Sequence, residues 1–189
     1  MKNPRRIPEV LEPDEKERLL RVLEPTSTLT ALRNLAIISL LLDSGLRSCE
    51  LRELQTRQIN WKSGKLKIRG KGGVERVIWL NDSILALLQD WLNHRPSSKS
   101  ELLFTSLDGQ KPLCGRWLRR MVKQAGEKAG IPWLHVHSTR HQFASDLLRK
   151  TKNIYLVQQA LGHNDITTTT IYLHLVNSEL EEAMRGLRE

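Results

Sequence analysis

His137-Ser138-Thr139-Arg140-His141 sets an arginine between two histidines. Side chains four apart share one helix face, so His137 and His141 invite a zinc reading. A zinc-protease motif needs Glu directly after the first His. Ser138 stands there, and no third ligand sits at a recognised spacing. Alone, the pentapeptide reads equally well as a capped helix start with incidental histidines. Leu161-Gly162-His163 is followed nine residues later by Tyr172. Gly162 suits a helix end and would put His163 on a turn. Thr167–Thr170 are weak helix formers, which would leave Tyr172 on a movable segment, although a lone tyrosine is ordinarily a core residue. In Gly45-Leu46-Arg47-Ser48-Cys49-Glu50-Leu51, Arg47 opens a helix after a glycine stop. Glu50 lies three residues on, the spacing of a helix-end ion pair. Gly70-Lys71-Gly72-Gly73 lacks the spacer and the Ser/Thr of a P-loop. It reads as a hairpin turn that can carry Lys71 into a cleft.

Each of these signals is weak alone; their order and spacing are specific. Arg47 in GLRxxEL, Lys71 in a hairpin, His137 and Arg140 in HxxRH, His163 in LGH and Tyr172 nine residues on resemble the tyrosine recombinase (phage integrase) family. The resemblance runs from about Pro8 to the C-terminus. It implies the catalytic-domain fold of that family and an enzyme, an integrase, that performs site-specific DNA recombination. Strands would be cleaved and rejoined through a 3′-phosphotyrosine intermediate.

The resemblance also implies roles, and the chemistry supports them. A tyrosine with pKa near ~10 attacks poorly while protonated. Attack on a phosphodiester crowds negative charge onto the phosphorus oxygens, and two arginine forks can clamp them. Arg47 and Arg140 match that pair. Lys71 matches the general acid at the departing 5′ oxygen, and His137 the residue assisting proton transfer at the tyrosine. His163 matches a further donor to the scissile phosphate, and Glu50 a residue that orients the set. Only His137 gives the HxxR interval, so His135 reads as structural or surface. A phosphotyrosine bond conserves the phosphodiester energy, so no cofactor, metal or ATP is expected. Thr139 stands where the family usually has leucine, and its hydroxyl should disturb helix packing at an inward position.

These residues need elements to hold them. Residues 1–12, with Pro4 and Pro8, read as an arm or linker. Pro13 suits the first position of a helix over 13–23, although Glu12 is a poor cap. Residues 28–44 read as a mostly buried helix stopped by Gly45, and a short helix follows from Arg47. INW, KLKIR and ERVIWL, separated by turn residues, give a small antiparallel sheet over 58–80. Helices are then expected over 82–94, 113–129, 138–150, 153–161, 167–175 and 178–187. The fold class is mainly α with one small antiparallel sheet. The catalytic domain spans 13–177. Residues 178–189 read as a short acidic C-terminal helix with Leu180, Ala183, Met184 and Leu187 on one side; the resemblance implies its exchange between protomers.

Charge agrees with a DNA partner. The 189 residues carry a formal net charge of +9. Residues 1–24 hold six basic and six acidic side chains and cancel. Residues 62–76 hold Lys62, Lys65, Lys67, Arg69, Lys71 and Arg76 against Glu75 alone, and residues 111–152 hold ten Lys/Arg against Glu127 and Asp146. Two central basic blocks suit a phosphate-tracking surface. Double-stranded DNA is the expected partner, and the resemblance implies a homotetramer assembled on it. The family's separate N-terminal helical domain, which clamps the opposite DNA face, is not within this sequence as read. Cys49 and Cys114 form no metal or redox motif, so a reduced, intracellular protein is expected; the resemblance implies a cytoplasmic, nucleoid-associated location. No signal peptide or membrane span is read.

Two other functions fit some of the same residues. A type IB topoisomerase shares the phosphotyrosine chemistry, but the LGH-to-Tyr interval and GLRxxEL favour a recombinase. A non-catalytic DNA-binding regulator would not need all six active-site positions filled.

Overall fold

Leu29–Ser44, apolar on nearly every side, can satisfy such a surface only at the centre of a domain. In the computed structural model these residues form helix α2, with Ala36, Ile37, Ile38, Leu40 and Leu41 wholly inaccessible to solvent. The structure describes residues 8–24, 28–70, 73, 75–97, 100–109, 111–162 and 169–172. Thr28 Oγ1 caps α2 by accepting from the Ala31 amide at 3.2 Å. Gly45 ends it in the left-handed conformation, φ 58°. A Cβ there would also lie 2.4 Å from Phe143 Cδ1. Both the backbone angle and the space therefore require glycine.

Most of the remaining elements contribute side chains to the same buried core. Helix α1 (Pro13–Arg21) starts on its proline. Glu12 is rescued as a cap by Glu15, whose Oε2 accepts from the Glu12 amide at 2.9 Å. Helix α3 (Ser48–Arg52) follows Gly45 almost at once. Strands β1 (Ile59–Asn60), β2 (Lys65–Arg69) and β3 (Glu75–Trp79) form an antiparallel meander in the order β1-β2-β3. Leu66 faces Ile78 and Ile68 faces Arg76 across β2 and β3. Strand alternation puts Leu66, Ile68, Ile78 and Arg76 on the buried face. Helix α4 (Asp82–His94) is capped by Asn81 and packs on α2. Helix α5 (Gly115–Lys128) buries Leu118, Met121 and Val122 and exposes Arg116, Arg119, Arg120 and Lys123.

Helix α6 (Val136–Thr151) packs along α2, and α7 (Ile154–Leu161) packs on α6. Ala144 and Leu148 of α6, Val157 and Leu161 of α7, and Tyr172 form a second apolar cluster. Helix α6 starts earlier than the expected 138. Ser138 Oγ accepts from the His135 amide at 2.8 Å, which lets His135 serve as N-cap. Thr139 is fully buried, as its position demands, and its hydroxyl donates to the Val136 carbonyl at 2.8 Å. That local bond meets the polar demand that a leucine would not have created. The helix expected over 167–175 is, among the described residues, a 3-10 turn at Thr170–Tyr172. A run of threonines supports a helix poorly. Residues 163–168 and 173–189 lie outside the described residues, and with them the helix expected over 178–187. Cys49 and Cys114 are both free and exposed.

Candidate active site

Two glycine-ended helices converge on Arg140. The chain turns left-handed at Gly45 after α2 and at Gly162 (φ 62°) after α7. These turns bring the Gly45 and Leu161 carbonyls to the guanidinium. Arg140 Nη1 donates to Gly45 O, and Nη2 donates to Leu161 O at 2.6 Å. Helix C-termini carry partial negative charge, so they suit a buried cation. Arg140 is 7% exposed. Burial, then the neighbouring Arg47 and Arg76, pull its pKa down to about 10, with Glu50 and Tyr172 opposing. It therefore stays charged at neutral pH.

Arg47 is the N-cap of α3 and the most solvent-accessible of the clustered arginines, with 36% of its side chain exposed. Its amide donates to Glu50 Oε2 at 2.7 Å and its Nη1 to Glu50 Oε1 at 2.9 Å. The spacing of three that suggested a pair is thus used twice, by backbone and by side chain. Glu50 is nearly inaccessible and takes a second arginine, Arg76 of β3. Arg76 Nη1 reaches Oε1 at 2.8 Å and Nη2 reaches Oε2 at 2.7 Å. Burial alone would raise the Glu50 pKa; the hydrogen bonds and charges of Arg76 and Arg47 overcome it and hold the carboxyl at about 2.

His137 is exposed, on the first turn of α6. Partial burial, then His135, Arg140 and Arg47, lower its pKa, which places its ring in the field of both arginines. His135 is also exposed, and its Nδ1 lies 3.0 Å from the Trp133 carbonyl. Tyr172 is 2% exposed in the apolar cluster between α6 and α7. Burial pushes its pKa up to about 12 against the pull of Arg140. Its Oη lies 2.6 Å from His141 Nδ1. Burial and the neighbouring His137, His135 and Arg140 hold His141 at about 4, so the ring is neutral at neutral pH. In the tautomer with Nε2 protonated, Nδ1 accepts a hydrogen bond from the phenol O–H.

The structure thus brings Arg47, Glu50, His137, Arg140 and Tyr172 together. Lys71 and His163 lie outside the described residues. Sequence reasoning missed two members. His141 closed the HxxRH motif but was given no role of its own, yet it shares the helix face of Ala144 and Leu148, which bury against Tyr172. Arg76 was counted only as charge. The alternation of Glu75–Trp79 puts it beside Ile78 on the inward face, where a lone cation needs a partner.

A model of the phage integrase family matches residues 9–179. The chain belongs to that family. Among curated members, the tyrosine recombinase XerC of Xanthomonas campestris pv. campestris (strain B100) is 36% identical over 175 residues, covering 92% of this chain and 53% of the relative. The tyrosine recombinase XerD of Staphylococcus haemolyticus (strain JCSC1435) is 32% identical over 184 residues, covering 94% and 62%. The chain therefore spans between about half and three-fifths of the length of these family members. Among solved structures, the XerH site-specific recombinase bound to a palindromic difH substrate, in a post-cleavage complex, aligns with a TM-score of 0.82 at 30% identity, covering 97% of this chain and 54% of that one. The XerA recombinase aligns equally well, at 29% identity, covering 98% and 67%. The mainly helical fold with its small sheet is the family's.

Proposed function

We propose that this chain performs site-specific DNA recombination, cleaving and rejoining DNA through a 3′-phosphotyrosine formed on Tyr172. The observation that carries this reading is the convergence of Arg47, Arg140 and His137 near the buried Tyr172 in a member of this family. A scissile phosphate would settle on the exposed Arg47 and His137. Arg140 has more N–H donors than its two carbonyl bonds use, and the rest would bind the non-bridging oxygens. Such preorganised donors act on charge that develops only in the transition state.

Tyr172 Oη attacks phosphorus, and the bond to the 5′ oxygen breaks. The phenol proton passes to a histidine, His137 in the role its position suggests. The departing oxygen takes a proton from Lys71, and His163 adds a donor to the phosphate. Attack by a 5′-hydroxyl on the phosphotyrosine reverses the steps and releases the tyrosine. In the free chain the nucleophile is stored: Tyr172 is buried, bound to His141 and held protonated. Cleavage requires that DNA binding draw Oη away from His141 toward the arginines.

The substrate in this reading is double-stranded DNA, and the working unit is a homotetramer on it, inside the cell at the nucleoid. Residues 178–189 would supply the contact between protomers, since their apolar stripe needs a surface to bury against. A covalent-adduct assay tests the core of the proposal. The protein is mixed with nicked suicide duplex built from the DNA flanking its own gene, then denatured, with Tyr172→Phe alongside. A DNA-shifted protein band that disappears in the variant is expected. A band that persists in the variant would remove Tyr172 from its role, and salt-dependent binding without any band would favour a binding-only protein.

A further inference from the structure

Glu50 presents two carboxylate oxygens, and all of the room on them is taken. Oε1 accepts from Arg47 Nη1 and Arg76 Nη1; Oε2 accepts from the Arg47 amide and Arg76 Nη2. The two arginines differ in exposure. Arg76 and Glu50 are sealed, at 6% and 7% side-chain exposure, whereas Arg47 opens to solvent at 36%. Arg76 spends both terminal nitrogens on Glu50, and its Nε is buried without a partner among the described residues. A cation costs a great deal on the inward face of a strand, opposite Ile68, so its placement calls for a use.

The charge arithmetic gives one. If Glu50 were paired with Arg47 alone, the two charges would cancel, and a phosphate would have to compete with a carboxylate for that guanidinium. With Arg76 as a bidentate partner, the carboxylate is already neutralised from the protein side. Arg47 then keeps a net positive charge, while its amide and Nη1 remain tied to Glu50 and fix its direction. The stem of Arg76 also lies against the turn at Gly162, where an added Cβ would sit 2.9 Å from Arg76 Cδ. That contact fixes Arg76 relative to the end of α7.

We propose that Arg76 is a positioning residue for strand cleavage: acting through Glu50, it directs Arg47 at the scissile phosphate and leaves its charge free to act there. This proposal rests on the reading of Arg47 as a phosphate clamp. Its test is built so that the two can fail separately.

Single-turnover cleavage of the nicked suicide duplex is measured for the full chain and for Arg47→Met, Arg76→Met, Arg76→Lys and the Arg47→Met/Arg76→Met double variant. Each is also measured on a duplex with sulfur in place of the 5′ bridging oxygen, a leaving group that departs without protonation. Thermal unfolding is followed in parallel. Displacing a clamp by about an ångström costs on the order of 100-fold in rate, so Arg76→Met should lose roughly 10- to 100-fold. Arg76→Lys keeps the charge, loses the fork, and should recover part of the rate. The double variant should be little slower than Arg47→Met, because Arg76 acts through Arg47. Sulfur should not restore Arg76→Met.

Restoration by sulfur would overturn the proposal by placing the effect on leaving-group protonation at the Lys71 hairpin. Equal loss from Arg76→Met with and without Arg47 would overturn it by removing the coupling. If Arg76→Met does not fold, Arg76→Lys carries the test, and a folded Arg76→Lys at full rate with both leaving groups would overturn it. Parent-like cleavage by Arg47→Met would refute the clamp reading first. No adduct from the parent chain would refute the recombinase reading and this proposal with it.

Discussion

Replacing Glu50 with glutamine should remove a defined amount of stability, and only above a defined pH. The carboxyl is held at about 2 in the fold against an ordinary 4.5. At ~1.4 kcal/mol per unit, ionised Glu50 contributes about 3 kcal/mol beyond its protonated form. The side chain is 7% exposed, so solvent screens little of this. The value also falls at the low end of the ~3–5 kcal/mol typical when one member of a buried ion pair is removed. A carboxylate whose pKa is depressed by folding contributes fully above its unfolded value and loses the contribution as pH falls through its folded value. The window therefore runs from about 4.5 down to about 2. Urea unfolding of parent and Glu50→Gln should differ by about 3 kcal/mol at pH 7 and progressively less below pH ~4.5, as the parent carboxyl becomes neutral like the amide. Other carboxyls titrate in both proteins and cancel in the difference. A difference under ~1 kcal/mol at pH 7, or one that does not shrink with acid, would refute the account of Glu50 as the ionised hub between two arginines.

Two further outcomes follow from the same geometry. Tyr172, raised from 10 to about 12, stabilises the fold fully below pH 10 and loses that contribution as pH rises toward 12. Denaturant unfolding between pH 9 and 11 should therefore show the parent losing stability relative to Tyr172→Phe by about 1 kcal/mol or more, and parallel curves would mean that the phenol is not sequestered. Gly45→Ala combines a left-handed backbone, ~1–2 kcal/mol, with a clash against Phe143, ~1–3 kcal/mol. A fall in Tm of roughly 5–15 °C by calorimetry is expected, and one below about 2 °C would contradict the close approach.

Much of this protein is legible in its sequence. The helix expected over 82–94 is α4 to the residue, because Asn81 caps it and Pro96 follows its end. The stop at Gly45 and the three-stranded meander were equally plain, because they depend on backbone preferences written in single residues. The contact of Arg47 with Glu50 was legible for the same reason: three residues on a helix turn are neighbours in any fold. The family itself followed from the order of motifs along the chain.

Tertiary structure alone decided how those pieces meet. His141 and Tyr172 are 31 residues apart, and which of two helix-sharing histidines reaches the hydroxyl depends on how α6 is rotated against the segment carrying the tyrosine. Arg76 and Glu50 are 26 residues apart and join a strand to a helix. Arg140 takes its carbonyls from the ends of two separate helices. A sequence specifies φ/ψ preferences and periodic faces locally. The direction in which a buried cation or phenol finds its partner is set by packing, since the desolvation cost of leaving it unpaired selects one arrangement among those that the periodic faces allow.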